Sequence, residues 1–191
     1  MNLLSHALLS RHESNDVLTV NVLWDFLGRD LRQDQRDFIR RGAEIHRIID
    51  RETDTSEEFK KALKLVSTQR DPASGVIVDV ALDYALSQDW SYYTSEDRLE
   101  LIEEFYDRME SAAPAISQRA VTLVARMRER NWFKAYGEFE GIQRVFQRLA
   151  HQYRFLDSLI GAEAEVERRV DYYTELMRSL YPKVQFAVAK Y

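Results

Sequence analysis

The 191-residue chain has 45% hydrophobic and 31% charged residues, which is the composition of a globular protein and not of a disordered one. It contains no cysteine, which excludes disulfides and thiolate metal sites, and its formal net charge of −5 argues against a general nucleic-acid-binding protein. No apolar run is long enough to cross a membrane and no signal-like leader is recognisable, so we expect a cytoplasmic protein without a membrane partner.

Apolar residues recur at helical spacing along almost the whole chain, and only six glycines and three prolines are available for turns. This pattern predicts an all-α fold, a single-domain helical bundle over residues 1–191. The predicted helices span roughly residues 2–10, 16–28, 33–52, 56–68, 72–90, 95–112, 115–130, 138–151 and 162–180. Asp71 and Pro72 have the chemistry of a helix start, and Pro114 and Pro182 indicate two further helix boundaries.

Four of the predicted helices carry two polar residues four positions apart, a spacing that places both side chains on one helix face. The pairs are Asn2 and His6, Asn21 and Asp25, His46 and Asp50, and Asp79 and Asp83. Asp79 and Asp83 are the only carboxylates in the apolar run GVIVDVALDYAL. A helix that is apolar around most of its surface is expected to be buried, and a buried carboxylate needs a compensating cation.

Two kinds of cation could compensate these aspartates. Arginine is abundant in the chain, and a buried Asp–Arg pair is the simpler interpretation of any single aspartate. A divalent metal explains the whole set better, because two histidines and four aspartates in apolar surroundings supply the mixed nitrogen and oxygen ligands of Mn, Fe or Zn. The sequence has no phosphate-binding loop, nucleophile elbow or zincin motif, so hydrolysis by a metal-activated water is the chemistry these residues support best.

The same segments resemble the bacterial acyl carrier protein phosphodiesterases. The resemblance rests on NLLSH at Asn2–His6, NVLWDF at Asn21–Phe26, HRIIDRETD at His46–Asp54 and DVALDYAL at Asp79–Leu86, and it continues through NWFKAY at Asn131–Tyr136 to LYPKV near the C-terminus. It implies an all-helical, distorted relative of the His-Asp metal-dependent phosphohydrolases. Such enzymes use a divalent cation, typically manganese with iron or magnesium as alternatives, to hydrolyse the phosphodiester between 4′-phosphopantetheine and a serine of holo-acyl carrier protein.

The resemblance also implies roles for individual residues. The expected metal ligands are Asp25, His46, Asp50, Asp79 and Asp83. His6 is expected to be a further ligand or the proton donor to the leaving oxygen, Asp25 to take part in catalysis, and Arg47 to stabilise the negative charge at phosphorus. Tyr84 stands where the family has histidine. Because a tyrosine with a pKa of ~10 is a poor metal ligand near neutral pH, we expect Tyr84 to contact substrate and catalysis to be weakened.

An enzyme acting on an acidic carrier protein needs a basic surface, and arginines are concentrated just before the His46 motif. Arg40 and Arg41 are therefore the expected docking residues, and a solvated helix face with Asp–Arg pairs is the alternative. Three hypotheses follow for the whole protein: an active phosphodiesterase, a carrier-protein-binding relative that has lost catalysis, and a structural helical domain. The sequence leaves the oligomeric state open.

Overall fold

The computed structural model describes residues 1–66 and 73–191, and these residues form helices joined by short connections, with no β-strand among them. The helices are α1 (Leu3–Leu9), α2 (Asn15–Leu31), α3 (Asp37–Asp54), α4 (Glu57–Val66), α5 (Ala73–Gln88), α6 (Trp90–Tyr93), α7 (Arg98–Ile116), α8 (Gln118–Glu129), α9 (Trp132–Ala135), α10 (Phe139–Gln152), α11 (Ala162–Arg168) and α12 (Val170–Lys190). A 3-10 helix, Arg154–Leu159, joins α10 to α11. The predicted all-α fold is confirmed. The predicted helix start at Asp71 and Pro72 lies outside the described residues.

Pro182 lies inside α12, so the prediction that it marks a helix boundary is wrong. Pro114 lies in the last turn of α7, which ends at Ile116, so the predicted boundary there is close to the observed one. A proline in a helix interior costs about 3 kcal/mol, because it removes a hydrogen bond and its ring clashes with the preceding turn. Around Pro182, Leu180 and Val184 are both fully buried. Each such side chain contributes about 1.5–3 kcal/mol by leaving water, which offsets the cost of the proline.

The first and fifth helices form the centre of the hydrophobic core. All seven residues of α1 are buried, and α1 packs against both α2 and α5. Helix α5 is buried along most of its length, as its predominantly apolar sequence predicts. Within residues 1–66 and 73–191, no helix has the length and apolar character needed to span a bilayer.

Helices α2 and α3 approach each other closely at Gly42. A Cβ atom at this position would lie 2.6 Å from Cβ of Val20 and 2.8 Å from the backbone oxygen of Val17, so only glycine permits this contact without a shift. His46 lies one turn further along the same face of α3. The close approach therefore brings His46 against the backbone of α2, where its Nδ1 lies 2.9 Å from the carbonyl oxygen of Asn21.

Candidate metal centre

Asp25 from α2 and His46 and Asp50 from α3 form a compact group of possible metal ligands. One ligand atom from each residue lies within 4.8 Å of the other two. Nε2 of His46 is 3.1 Å from Oδ1 of Asp25 and 3.0 Å from Oδ2 of Asp50. His46 is buried, whereas the side chain of Asp25 is 74% exposed, so the group opens to solvent on the Asp25 side. One imidazole and two carboxylates form a donor set that suits a divalent cation.

The ring of His46 is fixed by the backbone of α2. Because the carbonyl oxygen of Asn21 can only accept a hydrogen bond, Nδ1 of His46 carries the proton and Nε2 faces the carboxylates. Burial disfavours the charged imidazole, but hydrogen bonds to Asp25 and Asp50 outweigh burial and raise the pKa of His46 to about 9. Burial also opposes ionisation of Asp50, but its hydrogen bonds to the two histidines hold its pKa well below the ordinary value. A divalent cation bound here would take the place of the proton on Nε2.

His6 on α1 adjoins this group through Asp50. Its Nε2 lies 3.3 Å from Oδ1 of Asp50, and its ring centroid is 4.5 Å from that of His46. Nδ1 of His6 lies 2.9 Å from the side-chain oxygen of Asn21. The Asn21 amide nitrogen donates to the backbone oxygen of His6 and to Oγ of Ser10, both at 2.9 Å, which fixes the orientation of the amide. Asn21 therefore orients both histidines, one with its side chain and one with its backbone.

The role of Asn21 was not predicted, although its pairing with Asp25 at a spacing of four in an apolar segment had marked it as unusual. That spacing places both side chains on one side of α2. It does not show that this side meets the two histidines, because the partner of a helix face is decided by packing between helices. Asn21 is fully buried, as expected for a residue that supports a site from behind.

Asp83, an expected metal ligand, is fully buried and is bound to the first turn of α1. Its carboxylate accepts hydrogen bonds from the backbone N–H of Leu4 at 2.8 Å and from those of Asn2 and Ser5 at 3.2 Å. The hydroxyl of Ser5 also donates to it. Burial raises the pKa of Asp83, and the donors from Ser5 and Leu4 oppose this effect. In this arrangement Asp83 anchors α1, and so holds the helix that carries His6.

Asp79, the other expected ligand on α5, lies beside the chain's amino group. Its Oδ1 is 2.7 Å from the Met1 ammonium. Burial raises the pKa of Asp79, the ammonium lowers it, and the charge of Asp50 raises it again. Asp79 is thus within electrostatic range of the metal group without being a member of it. Within residues 1–66 and 73–191, none of the four paired aspartates forms an ion pair with arginine, so the simpler Asp–Arg interpretation is not what the structure shows.

The three arginines selected from the sequence each have a carboxylate partner within the protein. The pairs are Arg40 with Asp37 at 3.8 Å, Arg41 with Glu13 at 2.7 Å and Arg47 with Glu44 at 2.7 Å. The guanidinium of Arg47 also lies 5.2 Å from the centre of the Trp24 ring. Their expected roles stay predictions, and each would require the arginine to leave or share its present partner.

Tyr84 is buried on a different side of α5 from Asp83, because consecutive helical residues point about 100° apart. Burial raises the pKa of Tyr84, and the charges of Glu167 and Glu140 raise it further. These glutamates belong to α11 and α10, not to the helices of the metal group. Among the described residues, no hydrogen bond joins Tyr84 to the metal group, and its expected contact with substrate stays a prediction.

Comparisons with known proteins agree with the resemblance read from the sequence. A family model described as acyl carrier protein phosphodiesterase matches residues 1–184. Curated proteins of that name are similar along almost their whole length. Those from Enterobacter sp. (strain 638) and Klebsiella pneumoniae (strain 342) are 26% and 27% identical over 185 residues, covering 96% of this chain and 95% of the relative. The protein from Salmonella agona (strain SL483) is 24% identical over 191 residues, covering 100% and 98%. No solved structure matches significantly, and the likeness to His-Asp phosphohydrolase domains stays a prediction.

Proposed function

The chain belongs to the acyl carrier protein phosphodiesterase family, and we propose that it hydrolyses the phosphodiester that joins 4′-phosphopantetheine to the serine of holo-acyl carrier protein. The products are apo-carrier protein and the free prosthetic group. The observation that carries this proposal is the Asp25–His46–Asp50 group, because a divalent cation held there could supply the activated water and the charge stabilisation that hydrolysis of a phosphodiester uses. With an acyl carrier protein as substrate, we place the reaction in the cytoplasm.

Asp25, His46 and Asp50 are the residues that would hold the cation. A bound divalent ion supplies Lewis-acid chemistry, which activates water and stabilises charge on phosphoryl oxygens. An imidazole in the donor set favours manganese or iron over magnesium, and we propose manganese. Asp79 could bind the metal only after leaving the Met1 ammonium. Asp83 could do so only after losing its hydrogen bonds to the first turn of α1.

The remaining side chains of the site have separate tasks. Asn21 holds Nδ1 of both histidines, so neither ring can rotate without losing a buried hydrogen bond. His6 lies beside Asp50 and against the ring of His46, and we assign to it the transfer of a proton to the leaving serine oxygen. Arg47, once released from Glu44, stabilises the negative charge on the phosphate.

A second candidate function is a carrier-protein-binding protein without catalysis, and Tyr84 is the observation that favours it. The resemblance expects histidine at this position, and a tyrosine with a raised pKa cannot replace an imidazole as base or ligand at neutral pH.

The proposed function is tested by incubating purified protein with holo-acyl carrier protein and Mn²⁺. Released 4′-phosphopantetheine and the loss of its mass from the carrier protein are measured together. The wild type is expected to release the prosthetic group, and both a chelator and Asp50→Asn are expected to prevent release. If the wild type releases nothing with manganese, iron or magnesium but still binds the carrier protein, the enzyme function is wrong and the binding function stands.

A further inference from the structure

A cavity of about 580 Å³ adjoins the metal group and shares Asp25 with it. Five of its lining residues are arginines: Arg29, Arg119, Arg126, Arg130 and Arg148. They come from α2, from α8 and its C-terminal cap, and from α10. We refer to this cavity, with these five arginines, as the arginine cavity. Its position means that a molecule bound in it would extend directly to the candidate metal ligands.

The positive charge of the arginine cavity is largely uncompensated by the protein itself. Arg119 forms an ion pair with Asp30. Within residues 1–66 and 73–191, Arg29, Arg126 and Arg130 form no ion pair with a carboxylate, and neither does Arg148. The chain as a whole has a formal net charge of −5, so this is a local reversal of its overall charge. A concave surface lined by charges of one sign attracts a partner of the opposite sign and raises its association rate.

Aromatic side chains hold part of this cavity in place. The guanidinium of Arg148 lies 4.6 Å from the centre of the Trp132 ring, and the ring of Phe26 lies 5.9 Å from that of Trp132. When a guanidinium stacks on an indole ring, the N–H groups at the edge of the guanidinium can still donate hydrogen bonds to carboxylates. The indole N–H of Trp132 is itself buried without an acceptor in the described part of the chain.

An exposed apolar segment continues from the edge of the arginine cavity. Tyr153 lines the cavity, and Phe155 and Ile160 follow it along the chain with 65% and 61% of their surface exposed. The rings of Tyr153 and Phe155 lie 5.8 Å apart. Small anions need only the arginines, whereas a protein partner also buries apolar side chains at its interface. This combination of charge and exposed apolar surface fits an acidic protein.

We propose that the arginine cavity is the docking surface for the acidic face of the protein substrate. The inference rests on the proposed function, since it takes the substrate to be an acidic carrier protein. Carboxylates of the partner pair with the arginines, its apolar side chains cover the exposed segment, and its phosphodiester is thereby held beside Asp25. Arg40 and Arg41, the docking residues expected from the sequence, already have Asp37 and Glu13 as partners.

Two double charge reversals compare the two surfaces directly. Arg126→Glu with Arg130→Glu changes the arginine cavity, and Arg40→Glu with Arg41→Glu makes the same change on the rival surface expected from the sequence. Both variants and the wild type are treated with chelator, and their dissociation constants for holo-carrier protein are measured across a salt series. Binding is thus measured without turnover. Circular dichroism and thermal melting show whether each variant is folded.

The cavity variant is expected to bind the carrier protein more weakly at low salt, by about tenfold or more. It is also expected to lose most of the salt dependence of binding, because that dependence comes from screened attraction between opposite charges. The Arg40→Glu, Arg41→Glu variant is expected to lose less than about threefold in affinity, and a larger loss there than in the cavity variant would overturn the proposal. If the reversed cavity variant is unfolded, Arg126→Gln and Arg130→Gln are measured singly, and each is expected to reduce the salt dependence.

The proposal is overturned if the cavity variants bind with the affinity and salt dependence of the wild type, or if the wild type does not bind the carrier protein. Equal affinity for an RNA oligonucleotide of the same net charge would also overturn it, since the cavity would then select negative charge alone. A wild type that binds through these arginines but releases no prosthetic group would contradict the proposed hydrolysis and leave the docking surface intact.

Discussion

The side-chain oxygen of Asn21 lies 2.9 Å from Nδ1 of His6, and both residues are buried. The backbone oxygen of the same asparagine lies 2.9 Å from Nδ1 of His46. One residue of α2 therefore controls which ring nitrogen of each histidine faces Asp50. Partners of this kind, behind a possible metal ligand, affect affinity although they never touch the metal.

Asn21→Leu removes the acceptor of His6 and leaves buried polar groups without partners. We expect the affinity for Mn²⁺ to fall about 10–100-fold. The free energy of unfolding should fall by about 1–3 kcal/mol for each buried group left without a hydrogen bond. Calorimetric titration and urea denaturation measure the two effects. Asn15→Ala, an exposed change on the same helix, is the control and should leave Mn²⁺ affinity unaltered; similar affinities for all three proteins would show that Asn21 does not support the site.

Metal binding should stabilise the folded protein through Asp50. A ligand that binds only the folded state adds about 2.7 kcal/mol when its concentration is 100 times Kd. Adding Mn²⁺ to chelator-treated wild type should raise its melting temperature, and Asp50→Asn should abolish the increase. Asp79→Asn is expected to keep most of the increase, because Asp79 binds the Met1 ammonium and lies outside the group. Equal loss in both variants would instead establish Asp79 as a ligand.

Gly42→Ala tests whether the close approach of α2 and α3 builds the metal centre. The new Cβ would collide with Val20 and with the backbone of Val17, so the helices must separate. Overpacking of this kind costs about 1–3 kcal/mol, and the shift should also weaken Mn²⁺ binding by moving His46 away from Asn21. Gly75→Ala is the matched control, because nothing lies within 4 Å of its Cβ position on α5.

The two glycines should therefore respond in opposite directions. Gly75→Ala is expected to stabilise the protein by about 0.5–1 kcal/mol, since alanine loses less conformational freedom in a helix. Urea denaturation gives both free energies, and a Mn²⁺ titration gives the affinity. A Gly42→Ala protein as stable as the wild type, with wild-type affinity, would show that the site tolerates a wider separation of α2 and α3.

The variant Tyr84→His distinguishes between two expectations, one drawn from the sequence and the other from the structure. The family pattern suggests that histidine here would increase metal-dependent hydrolysis. The position of Tyr84, near Glu140 and Glu167 and away from Asp50, indicates that neither Mn²⁺ affinity nor release of the prosthetic group will increase. Tyr84→Phe controls for loss of the hydroxyl. An increase seen only in the histidine variant would establish that this side of α5 takes part in catalysis.

The sequence alone was sufficient to predict the all-α fold and to place two residues of the candidate metal group on one helix face. His46 and Asp50 are four residues apart, and the fixed geometry of a helix places such residues on one face whatever surrounds them. The apolar context of Asp83 likewise predicted its burial correctly. These conclusions depend only on neighbours along the chain, and for that reason they did not need the tertiary structure.

Contacts between helices were decided by the tertiary structure. That Asp25 meets His46 depends on how closely α2 packs on α3 at Gly42, and that Asp83 binds the first turn of α1 depends on which donors reach it in the core. The arginine cavity joins residues about 120 positions apart, from Arg29 to Arg148, and no spacing along the chain indicates that they meet. The order of residues determines neighbours within a helix, whereas the packing of side-chain volumes determines which helix faces meet.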